Sequence, residues 1–223
     1  MSRKRMVSSI ASGILSFVLC IPLVAADDFA ASRNPADNVE ASINVQQEVS
    51  DMQMSDVLTF DELVSTYAND SGISVEQARE TLLSNFYSGK RTKTATISPQ
   101  LATYRTFTAQ LNAMKSYKPS LKFYCETTEG GYSFYGILKV LSTTMNRVYQ
   151  GVSKQYAGTV YTNLEHANRI HYIVSGDFYD NGTTTISGGG TAGIGESFEL
   201  SFSVSYSSNW YATIYEEDDY DWD

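Results

Sequence analysis

The chain has 223 residues, with 25 acidic against 16 basic side chains and a formal net charge of −9. An acid excess of this size excludes a general nucleic-acid binder, because phosphate contacts need cations. The length suffices for one substantial core, or a core with a small satellite.

The chain opens on Arg3, Lys4 and Arg5, followed by a mostly apolar run from Ile10 to Val24 and small residues at Ala25 and Ala26. A basic start, a short apolar centre and a small-residue site are the pattern of a secretory signal, with the cut expected after Ala26. Its removal takes three cations and no acids, so the formal charge falls from −9 to −12. Cys125 is then the single remaining thiol, and no intramolecular disulfide can form. No later run is apolar enough to cross a bilayer as a helix. The expected location is outside the cell or at its surface.

Residues 27–58 are small, polar and aperiodic, and read as a disordered leader. Residues 59–92 read as a helical hairpin and linker. Thr59 and Ser74 sit at N-cap positions, with Glu62 at the capping-box position of the first helix and Val75, Glu76 and Gln77 in the first turn of the second. Phe60, Leu63, Val64 and Tyr67 line one helical face, and Ala78, Leu82, Leu83 and Phe86 the other. Ser88 to Lys93 carries Gly89 and three cations, as a linker or as a helix end suited to cations.

Residues 93–215 read as an antiparallel β-sandwich of eight to ten short strands. Thr94–Ile97 is a short strand. Leu121, Phe123 and Cys125 alternate with polar or amphipathic partners, as do Ile170, Tyr172 and Val174. Asp180-Asn181-Gly182 predicts a tight hairpin, with Thr183–Ser187 returning from it. The longest alternation runs from Phe198 to Tyr206: Phe198, Leu200, Phe202, Val204 and Tyr206 on a dry face, against Glu199, Ser201, Ser203 and Ser205. This is the predicted central strand. Residues 216–223 hold six acids and read as a solvated tail.

Candidate chemistry is sparse. Cys125 could act as a nucleophile with His166 or His171 as base, but it shares a face with Leu121 and Phe123, which makes it a core residue. His166 and His171 lie five apart, about 17 Å along a strand and on opposite faces, so no zinc site is expected. Asp177, Asp180 and Asn181 lack the spacing of a calcium loop and are explained by the turn. There is no nucleophile elbow, phosphate loop or dinucleotide fingerprint, and no cofactor is expected. Charge is partitioned: −8 over residues 27–92, +2 over 93–215 and −6 over 216–223. Lys115, Lys118 and Lys122 in the body are the candidate binding residues, forming a cationic face that an acidic flank would mask.

In its layout of signal, helical leader and strand-rich body, the chain resembles small secreted proteins of unknown function from Gram-positive bacteria. The resemblance is one of layout and implies no activity, substrate or catalytic residue. The expected function is a secreted, non-enzymatic binding or interaction module for an extracellular or cell-surface ligand. The alternatives are a secreted membrane-active toxin or bacteriocin, and a hydrolase using Cys125 with His166 or His171.

Overall fold

The computed structural model describes residues 52–89, 98–114, 116–131 and 133–222. The expected signal and the strand at Thr94–Ile97 lie outside the described residues. The chain runs β1 (Met52–Met54), α1 (Phe60–Ser71), α2 (Val75–Tyr87), a short 3₁₀ turn (Pro99–Leu101), β2 (Thr103–Gln110), β3 (Ser120–Gly130) and β4 (Ser133–Asn146). It continues through β5 (Val148–Tyr149), β6 (Val152–Ser153), β7 (Gln155–His166), β8 (Arg169–Gly188), β9 (Ala192–Gly193) and β10 (Glu196–Asp221). The fold is mainly β and antiparallel, with the helical hairpin ahead of all but the first strand.

Both helices start where their caps dictate. Thr59 Oγ1 accepts from the Glu62 N–H at 3.3 Å, and Glu62 Oε2 accepts from the Thr59 N–H at 2.8 Å. Ser74 and Gln77 repeat this reciprocal box. Gly72, with φ 66°, ends α1 in the left-handed region that favours glycine.

Sheet 1 has the order β1-β2-β3-β4-β9. Residues 52–58 belong to it: Met52–Met54 pairs with Phe107–Ala109, and Leu58 bridges to Tyr104. Sheet 1 is covered on both faces. Tyr104, Tyr124 and Leu141 pack with Phe60, Leu63, Val64, Leu82 and Phe86 of the helices. Phe107, Leu121, Phe123, Cys125 and Val140 face the second sheet. Double coverage explains why β4 is buried almost continuously from Lys139 to Met145. Ordinary alternation sends the neighbours Val140 and Leu141 to opposite cores, and a register shift against β3 lets Ile137 and Val140, three residues apart, serve the same one.

Polar clamps fix the helices to sheet 1. Lys139 Nζ donates to the backbone carbonyls of Asn85 (2.8 Å), Phe86 (3.3 Å) and Ser88 at the end of α2. A cation there suits the negative end of the helix dipole. Asn85 Nδ2 donates to the Leu141 carbonyl at 2.8 Å. Asp70 accepts from Lys122 Nζ at 2.7 Å and from Tyr124 Oη at 2.6 Å.

Sheet 2 is made of β7, β8 and β10, each paired with the other two. Three mutually paired strands enclose no interior, so this is a bent ribbon and not a barrel of staves. β8 and β10 pair along most of their length, and residues 196–202 of β10 also pair with β7. Gly158 and Gly176 are cross-strand partners. A Cβ on Gly158 would lie 2.2 Å from the Ser175 carbonyl oxygen, and one on Gly176 2.3 Å from that of Ala157. Only glycine allows the two backbones this close.

Among the described residues nine strands, β2–β10, follow the helices, within the expected eight to ten, but β8 and β10 are far longer than the spacing of turn residues predicts. Asn181-Gly182 is not a hairpin turn: it is a corner inside β8. The first half of β8 is already paired with β7 on one side and β10 on the other. A returning strand has no free edge there, so Thr183–Gly188 pairs with Leu200–Ser205 instead. The Asn-Gly signal reports backbone freedom, not which edge is open. β10 makes its matching corner where Tyr206 (φ 55°) and Asn209 (φ 59°) take left-handed conformations. Leu200 and Phe202 of the predicted central strand are buried, but Tyr206 is 95% exposed because the corner turns it out.

The acidic end is also a strand. Glu216–Asp221 pairs with Arg169–Val174. Tyr220 is buried against Phe107, with ring centroids 5.5 Å apart, and Trp222 stacks on Phe107 at 4.9 Å. Deleting residues 216–223 should therefore destabilise the protein by roughly 3 to 5 kcal/mol or more, the scale of one buried aromatic. Urea unfolding measures this, and a solvated tail would leave the midpoint unchanged.

Candidate functional site

The outer face of sheet 2 carries a group of polar and aromatic side chains held by hydrogen bonds to one another. Alternation places it there. Ile170, Tyr172 and Val174 of β8 turn into the core, as do Ile214 and Tyr220 of β10. Arg169, His171, Ser175 and Asp177 therefore face outward beside Thr213, Tyr215, Glu217, Asp219 and Asp221. The register sets Tyr215 opposite Ser175, Asp219 opposite His171, and Asp221 opposite Arg169. Tyr161 joins the face from β7, opposite Ile173.

Most of these groups are fixed by one another. Trp210 Nε1 donates to Asp177 Oδ1 at 3.1 Å and to Thr213 Oγ1 at 3.3 Å, and Thr213 Oγ1 itself donates to Asp177 Oδ1 at 2.5 Å. Tyr215 Oη donates to Glu217 Oε2 at 2.8 Å, and the carboxylate beside it holds the phenol above its usual range. A carboxylate only accepts, so His171 Nδ1–H donates to Asp219 Oδ1 at 2.8 Å, while Nε2 lies 3.8 Å from Glu217 Oε1. Arg169 pairs with Asp221 at 2.6 Å and lies 4.0 Å from Glu165. Trp210 and Tyr215 remain 63% and 68% exposed. Their polar ends are anchored and their ring faces are open to solvent.

The residues singled out from the sequence are dispersed. Cys125 is fully buried between the sheets, and burial pushes its thiol up. His171 stands on the far side of sheet 2 and His166 is exposed at the end of β7, so neither is brought to Cys125. Lys115 lies outside the described residues. Lys118 is half-buried in the segment before β3. Lys122 points to the helical layer, where Asp70 from the acidic flank occupies it. Among the described residues, no three His, Cys, Asp or Glu side chains gather as a metal site.

Sequence reasoning missed Asp177, Trp210, Thr213 and Tyr215 as a group, because the cluster spans two strands 33 residues apart. One signal was available. The period of two at Ile214 continues through Tyr220 and Trp222, which marks the acidic end as strand. No family model, no curated protein and no solved structure matches this chain.

Cys125 should resist alkylation by iodoacetamide at neutral pH in the native protein and react after unfolding. Labelling of the native protein at the rate of the unfolded one would contradict its place between the sheets.

Proposed function

We propose that the protein is a secreted, non-enzymatic binding module whose contact surface is the outer face of sheet 2. The observation that carries this reading is the pair Trp210 and Tyr215, more than half exposed yet anchored through carboxylates. Large aromatic side chains supply contact area, and holding them beforehand lowers the ordering cost of binding. Secretion is supported by the basic and apolar N-terminal pattern.

The two rival functions find less support. A thiol hydrolase needs a thiolate beside a base, and Cys125 is buried among apolar side chains. A membrane-inserting strand needs a lipid-facing apolar row. Along β10 the outer row holds Glu217, Asp219 and Asp221, and the row of Phe198, Leu200 and Phe202 already packs inside the protein. Among the described residues, no helix is long and apolar enough to cross a membrane.

The test immobilises wild type and the double variant Trp210→Ala/Tyr215→Ala. Both are exposed to cell-wall polysaccharide, extracellular protein and lipid vesicles. Wild type is expected to retain one of these, with the variant about tenfold weaker and its urea midpoint unchanged. Equal retention by both would move the contact surface elsewhere. Time-dependent breakdown of a component, or dye release from the vesicles, would replace the reading with the hydrolase or the membrane-active protein.

A further inference from the structure

Residues 212–221 form an outer edge of sheet 2. β8 pairs with one side of this stretch, and among the described residues no strand pairs with the other. The phase of the ladder follows from its end. Trp222 N–H donates to the Asn168 carbonyl at 3.3 Å, in register with Tyr220 opposite Ile170. Hydrogen-bonded positions alternate in an antiparallel pair. Even positions therefore bond to β8, while Thr213, Tyr215, Glu217, Asp219 and Asp221 turn their backbone groups to the open side. In keeping with this phase, the Asp219 N–H is taken locally by Asp218 Oδ1 at 2.8 Å. The same five residues present their side chains on the outer face, so open backbone groups and open side chains coincide.

We propose that this edge accepts a lysine- or arginine-rich extended segment of a partner protein as an added β-strand. The inference rests on the binding-module reading and names its partner. An open edge offers main-chain bonds to any extended segment, and side-chain pairs across the new ladder then select among them. Here those pairs are dominated by negative charge: Glu217, Asp218, Asp219 and Asp221, with His171 and Arg169 as the near counter-groups. Glu216 is already engaged by the Asn112 N–H at 2.7 Å. A second copy of this chain would set acids against acids, a repulsion that blocks edge-to-edge self-association. Anionic lipid and nucleic acid are opposed by the same sign. A cationic strand is attracted, and its lysine or arginine stems can lie over the exposed rings of Tyr215 and Trp210.

The geometry also sets a register. In an antiparallel addition, the arrangement of every other pair in sheet 2, partner side chains on the outer face come from residues whose own backbone groups bond to β10. The probe is a ten-residue peptide alternating Lys and Val, added to the full chain. Two further versions are N-methylated, one on the lysine amides and one on the valine amides. The plain and valine-methylated peptides are expected to bind, with affinity falling as salt rises. The lysine-methylated peptide is expected to bind about tenfold more weakly or worse, and Glu217→Lys to weaken the plain peptide similarly. Equal affinity for all three peptides would overturn strand addition. If no peptide binds while another ligand is still retained through Trp210 and Tyr215, the edge proposal fails and the binding-module reading stands. If nothing is retained by either measure, both fail.

Discussion

Both sides of the first half of β8 are occupied, one by β7 and the other by the second half of β10, and the course of the rest of sheet 2 follows from that. The chain leaving Asn181-Gly182 cannot fold back on itself, because backbone groups already bonded on both sides cannot pair again. The β8–β10 ribbon must therefore turn its corner and run on. Residues 196–202 pair with the other side of β7, and the backbones of β7 and β8 approach at Gly158 and Gly176 too closely for any side chain. Once those pairings are made, the acidic end of β10 is left as the outermost strand of sheet 2 among the described residues.

The same economy of edges and faces governs the other half of the molecule. Sheet 1 has two dry faces, one covered by sheet 2 and one by the helical hairpin. The helical layer is fastened by a cation that the apolar pattern of β4 does not advertise. Lys139 leaves the sheet and ends among three carbonyls at the close of α2. A buried ammonium is tolerated only where such acceptors surround it. Those carbonyls in turn are among the orphan groups that every helix end carries.

Local signals were legible and competition between strands was not. The capping box at Thr59, the N-cap at Ser74, and the alternation at Leu121–Cys125 and Ile170–Val174 each depend on residues close in sequence, and each appears in the structure as read. Asn181-Gly182 reads as a hairpin because a dipeptide cannot report that its strand is already flanked. The end of β10 reads as a solvated tail because six acids mask the inward period of Ile214, Tyr220 and Trp222. Lys122 reads as an exposed binding cation because its partner, Asp70, lies on a helix 52 residues earlier. The outer-face cluster was illegible for the same reason: Asp177 and Trp210 meet only after both strands have turned their corners.

The proposed function rests on what sheet 2 leaves uncovered. One face presents Trp210 and Tyr215 with their polar ends fixed, and one edge presents backbone groups beside a row of carboxylates. Both depend on residues 212–221 being a true strand with one side bonded and one side open. Residue-resolved amide exchange measures that directly. The amides of Ile214, Glu216, Asp218 and Tyr220 should exchange slowly, and those of Tyr215, Glu217 and Asp221 quickly. Uniformly fast exchange across residues 212–221 would contradict the account, because the acidic end would then be a tail and neither the face nor the edge would exist.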